Sequence, residues 1–432
     1  MQGPALLRLP DELLSKIIEA THSEDRQFWR SQQEHGFHRT CASLCLACRR
    51  LYPIAMPLLY SELVITCSPA RQLSTSSKLL HRSCRQNPAL WPLCRRLEID
   101  HFDDSRGNDS GRPLDYIASD LISWLTGTTS LALMGLGQVE TGWELLYRAA
   151  ESFPNLNALV LEDGDHRIHP WRVMQILGEG SEIRRLALDG VSKRGPWDAA
   201  KSLPMPGTAL IKSLELRFFL ATPGELEDLM RWPAALENFE LEWTFSNGEP
   251  GHDEHLEWSL AILQPLLAIQ SETLRCIRIA HISPPGLGLD LRAFEQLEHL
   301  CLMSQDLCVY PRGYDSDKGT LVRLLAPRPR LFTIEVNWDG HQEGTPVGAF
   351  RALEEDWLRA FGHVAVKHKS SLHEIRIKFE PYEDYTTDSV YPWDRMDALR
   401  QEFRPRIKVT YSPPSISREE YAKCYEKCTK IN

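Results

Sequence analysis

Leu156-Asn157-Ala158-Leu159-Val160-Leu161 decides the fold, because its spacing recurs down the chain: an apolar residue, two variable ones, a second apolar residue, one variable, a third apolar residue. It returns as Ile183/Leu186/Leu188, Ile211/Leu214/Leu216, Leu236/Phe239/Leu241, Leu274/Ile277/Ile279, Leu297/Leu300/Leu302, Leu331/Ile334/Val336 and Leu372/Ile375/Ile377. Weaker copies stand at Leu97/Ile99, Leu131/Leu133 and Ile407/Val409. The last two apolar positions of each copy alternate with period two, as a strand with one buried face does. Successive clear copies start 27, 28, 25, 38, 23, 34 and 41 residues apart. Steps in the mid-twenties suit a unit of one strand and one helix that cannot bury its apolar face alone and must stack on its neighbours.

Helices are predicted between the strands. Thr222 with Pro223 and Glu225 reads as a capping box with proline at the first helical position. Pro170 to Leu177, ended by Gly178, and Phe350 to Phe361, ended by Gly362, carry helical patterns with glycine stops. His255 to Ile269 is helical in pattern although Pro265 must kink or split it. Ser417 and Glu420 cap a terminal helix suited to cover the end of the stack.

This body resembles a degenerate leucine-rich-repeat array. The resemblance implies a right-handed α/β solenoid over 67–411, parallel strands on the concave face and helices on the convex one, with 412–432 as a capping helix or tail. The family's asparagine ladder is absent: its places hold Gly164, Val191, Phe219, Thr244, Ile282, Gln305 and Asp339. The competing architecture is a doubly wound α/β domain, which calls for a phosphate-binding glycine loop or longer apolar strands, and neither is visible.

If the apolar triplets point inward, the residues between and just after them line the open face. The candidate target-binding residues are Glu162, Arg185, Asp189, Glu215, Arg217, Glu240, Glu242, Arg278, His299, Glu335 and Arg376, with Cys276, Thr333 and Lys378 in the same row. Both signs are mixed, which suits a protein partner better than a phosphate backbone. Insertions at Asp100 to Pro113, Phe245 to Asp253, Pro311 to Gly319, Asp339 to Gly348 and Glu380 to Trp393 are expected on one side. The last carries Tyr382, Tyr385, Tyr391 and Trp393, a second candidate contact or else a lid on the final repeat.

The first sixty-six residues follow another pattern. Leu9-Pro10-Asp11-Glu12-Leu13-Leu14 opens an amphipathic helix whose stripe runs through Leu13, Leu14, Ile17 and Ile18, with acidic residues at its N-terminus. A second stripe runs through Cys41, Leu44, Cys45, Cys48, Leu51 and Tyr52, and Pro57-Leu58-Leu59-Tyr60 follows. Two short helices are too small to bury such stripes on each other, so a partner surface is expected. The segment resembles the F-box, with a charged insertion at Thr21 to Arg39 and Leu51 where that family often has tryptophan. The resemblance implies docking to a Skp-type adaptor, and through it a cullin, by Leu9, Pro10, Leu13, Leu14, Ile17, Ile18, Leu44, Cys48 and Leu51. It implies a non-catalytic subunit that recruits a protein target for ubiquitination; an adaptor-bound scaffold is the alternative.

Composition bounds the rest. With 432 residues, 49 basic against 59 acidic, the net charge of −10 argues against a nucleic-acid-coating surface. No apolar run reaches the ~18 residues of a membrane span, and the start lacks a secretory pattern, so a cytoplasmic or nuclear protein is expected. Eleven cysteines, an odd number, fit a reducing compartment better than a disulfide framework. Cys41-x3-Cys45-x2-Cys48 is similar to the cluster-binding spacing of iron–sulfur radical enzymes, but Ala47 replaces the usual aromatic residue and all three share a helical face. Other zinc, phosphate-loop and nucleophile-elbow patterns are missing, so no cofactor, no metal and no catalysis are expected.

Overall fold

The apolar triplets form strands because alternate residues face helices while the intervening ones do not, and the burial runs show it: buried at every second position in Glu62–Thr66, Arg96–Asp100 and Ala158–Glu162. The computed structural model describes residues 8–31, 39–66, 74–100, 113–135, 140–164, 168–178, 182–191, 204–242, 258–280, 288–309, 313–314, 317–336, 350–379 and 389–431. The chain divides into two compact units, Met1–Asp165 and His166–Asn432.

The first unit opens with helices α1 (Asp11–Ser31), α2 (Arg39–Ala47) and α3 (Tyr52–Leu59). Then β1 (Glu62–Thr66), α4 (Thr75–Gln86), β2 (Arg96–Asp100), α5 (Pro113–Trp124), β3 (Ser130–Met134), α6 (Glu140–Ser152) and β4 (Ala158–Glu162) alternate. The strands pair in parallel and in chain order, with Leu63, Leu97, Leu131 and Leu159 in one buried row. The weak copies at Leu97 and Leu131 are therefore true strands, and Leu63/Ile65 adds one that the pattern missed.

Two expectations about the helices change. The apolar stripes are closed by three helices rather than a pair: Leu14, Ile18, Cys41 and Leu51 form a small core, flanked by Leu9, Leu44, Cys48, Ile54, Leu58 and Leu59. The second stripe also breaks. Helix α2 ends at Ala47, Cys48–Leu51 turns, and Leu51 becomes the N-cap of α3, so Tyr52 leaves the helical phase and stands 48% exposed. Part of the segment read as an insertion, 21–31, continues α1; 32–38 lies outside the described residues.

The second unit runs α7 (Pro170–Leu177), β5 (Arg185–Val191), β6 (Ser213–Phe219), α8 (Pro223–Arg231), β7 (Asn238–Glu242), α9 (Leu260–Ala268), β8 (Cys276–Ala280) and β9 (His299–Met303). It continues through α10 (Ser304–Leu307), the antiparallel pair β10 (Cys308–Val309) and β11 (Gly313–Tyr314), α11 (Lys318–Arg323), β12 (Leu331–Val336), α12 (Ala352–Lys367), β13 (Glu374–Phe379), α13 (Pro392–Phe403), β14 (Lys408–Tyr411) and α14 (Arg418–Ile431). Apart from that short pair, its strands again pair in parallel and in chain order. One row joins Leu186, Leu214, Phe239, Ile277, Leu300, Phe332, Ile375 and Val409. A doubly wound domain would reverse its strand order at a switch point; neither unit does.

The triplet at Leu331/Ile334/Val336 is two residues out of register, since Phe332 and not Ile334 pairs with Leu300. A shift of two keeps every side chain on its face, so the assignment of Thr333 and Glu335 to the open face survives. Aromatic packing shows what covers the apolar face: Phe332 lies 5.7 Å from Trp357 and 4.7 Å from Phe361 of α12, and Phe219 meets Trp258, just ahead of α9, at 5.8 Å between ring centres.

Local punctuation is mostly as expected. Thr222 and Glu225 make the reciprocal capping box, and Gly178 ends α7 at φ 61°. Helix α9 starts at Leu260 on a Ser259 cap and passes through Pro265. Gly362 does not stop α12, which runs on to Lys367. A Cβ at this glycine would lie 2.4 Å from the Phe403 ring, so its role is close approach to α13. Val191 and Phe219, standing in asparagine places, are buried strand residues. Tyr382 and Tyr385 lie outside the described residues, whereas the Tyr391 hydroxyl donates to Ile416 O at 2.7 Å and Tyr391 packs edge-on against Tyr421, fixing α14 as an end cover.

A charged open strand face as the candidate functional site

Between the buried rows, the strands of His166–Asn432 bring the predicted side chains together. Arg185 Nε and Nη2 donate to both oxygens of Glu215 at 2.8 and 3.0 Å across β5 and β6. Arg278 on β8 is the hub. Its Nη1 donates to Glu240 Oε1 at 2.6 Å and Glu242 Oε2 at 2.9 Å on β7, and its Nη2 to Glu335 Oε2 at 2.7 Å on β12. It reaches past β9 because the residue beside it there is the small Cys301. Lys378 on β13 donates to the other oxygen of Glu335 at 2.6 Å. Glu374 accepts from Arg376 Nη2 at 2.8 Å and from the Thr410 hydroxyl at 2.8 Å; Thr410 was not anticipated, because its copy of the repeat is weak.

The carboxylates lie low and the cations stand above them. Glu335, Glu215, Glu374, Glu240 and Glu242 range from 3% to 26% exposed, whereas Arg376, Arg217, Lys378 and Arg185 range from 43% to 57%. Burial alone would raise the Glu335 carboxyl; hydrogen bonds and charge from Arg278 and Lys378 outweigh it and hold the group at about 2. Those carboxylates in turn keep Arg278 above its ordinary value despite its own burial.

His299 bridges Cys276, 3.5 Å from Nδ1, and Thr333, 2.9 Å from Nε2. Burial, then the charges of Arg376 and Lys378, hold its imidazole below its usual range, and burial pushes the Cys276 thiol up to about 11. Near neutral pH this is a thiol beside a neutral ring, a hydrogen-bonded relay rather than an activated nucleophile. Asp189 is half-buried on β5, and Glu162 lies on β4 of the first unit, where its carbonyl accepts from Gly135 N at 2.7 Å.

The nine predicted docking residues divide. Leu14, Ile18 and Leu51 are buried, and Leu9, Leu44 and Cys48 pack partly buried against them. Pro10, Leu13 and Ile17 face outward. Leu46 is the apolar side chain that the stripes did not select, and at 88% it is the most exposed of the large ones described. Cys41 turns into the apolar core, and burial raises the Cys45 thiol. Among the described residues, no group of three or more His, Cys, Asp or Glu side chains is placed to hold a metal ion. No helix among them is long and apolar enough to cross a membrane.

Strand order equal to chain order, one covered face and one open face make each unit a stack of the leucine-rich-repeat type. No protein-family model matches the chain, and no curated protein does. Among solved structures, the leucine-rich repeat-containing protein LegL7 from Legionella pneumophila aligns with a TM-score of 0.37 and 15% identity, over 71% of this chain and 93% of that one. That likeness is too loose to add to the geometry.

Proposed function

We propose that this chain is a target-recognition subunit of a cullin-type ubiquitin ligase, with α1–α3 docking on a Skp-type adaptor and the open strand face holding a protein target. The observation that carries the reading is the way the three-helix core closes. Leu14 and Ile18 are consumed inside it, yet Leu13 and Ile17, one turn apart on α1, remain 47% and 42% exposed, with Leu46 and Tyr52 also outward. A core already satisfied from within has no folding use for a second apolar stripe, and such exposed apolar surface marks an interaction site. The mechanism is proximity: a bound target's lysines sit at raised effective concentration beside a conjugating enzyme carried by the complex.

Coexpression with the adaptor tests this. Because Leu13 and Ile17 are exposed, Leu13→Asp with Ile17→Asp leaves the Leu14/Ile18 core in place, so helical content is retained while adaptor capture falls at least tenfold. Equal capture by the wild-type and substituted chains overturns the reading.

A further inference from the structure

We infer that the open strand face of His166–Asn432 binds an extended acidic peptide seated on Arg217 and Lys378. This rests on reading that face as the target site, and it names the chemistry of the target.

The argument is an inventory of donors. The whole chain is acidic at −10, yet the layer that a ligand meets first on this face is cationic, because the carboxylates lie beneath it. Those carboxylates are already engaged: Arg278 takes Glu240 and Glu242 at 2.6 and 2.9 Å. Arg217 is left at 3.8 and 4.0 Å from the same two groups, beyond hydrogen-bonding reach. Lys378 directs one bond to Glu335, and an ammonium carries three donors. Arg217 and Lys378 therefore keep unused donors in the outer layer, and the complement of that pair is a ligand with two carboxylate groups spaced to reach one cation each.

The ladder sets the length. Arg217 on β6 and Lys378 on β13 are five strand steps apart, since β12 follows β9 in the pairing order. That is roughly 24 Å at about 4.8 Å per step, a span that seven or eight extended residues cover. A nucleic-acid strand, charged every ~3.4 Å, would press phosphates onto Glu240 and Glu242 as well, whereas a peptide can place its acids at the two cations alone.

Fluorescence anisotropy of the full chain tests this with three labelled probes: a serine dodecapeptide with Glu at positions 2, 3, 10 and 11, its Lys counterpart, and a dodecameric thymidine single strand. The acidic peptide binds, weakens as salt rises from 50 to 300 mM, and loses about tenfold in affinity with Arg217→Ser plus Lys378→Ser. Arg217→Ser alone, at a side chain that anchors no buried group, loses about threefold with an unchanged urea midpoint. Absence of binding, equal binding of the lysine peptide or the DNA, or undiminished affinity in the double variant each overturns the inference. Loss of peptide binding with adaptor capture intact sinks this inference alone. Adaptor capture insensitive to Leu13→Asp plus Ile17→Asp, with peptide binding intact, sinks the ligase reading alone.

Discussion

Replacing Glu335 by Gln removes the charge of the most buried carboxylate on the open face while keeping the shape of the side chain. In the folded protein this carboxyl titrates at about 2, against an ordinary value of 4.5. At about 1.4 kcal/mol per pKa unit, that difference corresponds to about 3 kcal/mol of stability at neutral pH. Because the folded value is depressed, the contribution is fully present above about pH 5 and is lost as pH falls toward 2. Glu335→Gln is therefore expected to be about 3 kcal/mol less stable than wild type at pH 7, with the gap closing through the acid range. Urea unfolding followed by tryptophan emission at pH 7, 5, 4 and 3 reads both effects, with an unchanged m-value marking a pure stability change. A difference below about 0.5 kcal/mol at pH 7, or one constant down to pH 3, would show that Arg278 and Lys378 do not lock this carboxylate.

The helix side offers two further expectations. Gly362→Ala places a Cβ 2.4 to 2.9 Å from Phe403 ring atoms; overpacking of about 1–3 kcal/mol outweighs about 1 kcal/mol of helix propensity gained, and adding Phe403→Leu restores the thermal midpoint. Gln270→Ala removes the acceptor for Leu236 N at 3.0 Å and the donor to Met230 O and Pro233 O at 2.9 and 3.0 Å; stranding those buried backbone groups costs about 3 kcal/mol, read by urea denaturation.

The apolar spacing made most of this architecture legible, since eight clear triplets each carry a strand and a period of two needs no partner to be read. Leu63/Ile65 escaped because it lies within the first sixty-six residues, where the helical stripes and the Pro57-Leu58-Leu59-Tyr60 run assign everything to one helical segment. Gly362 was misread because a helix stop and a packing glycine look alike in one dimension; Phe403, forty-one positions on, decides between them. Tyr52 was misassigned because helical periodicity was extended over a turn that only backbone geometry reveals. For the site, alternation placed the residues on the right face, but their pairing was invisible: Arg278 and Glu335 are 57 residues apart, and their meeting depends on the small Cys301 between them.

That pairing separates stability from recognition on one surface. Arg278 and Glu335 lie low on the open face and answer each other, so substituting either leaves a largely buried charge short of a partner, and such losses are large. Arg217 stands over the same carboxylates without bonding them and is half in water, where a lost ion pair costs little. A face built this way holds its own acids at short range and still presents cations at its rim. The inner charges set the geometry of the strands, and the outer ones remain open to a ligand without loosening the array beneath.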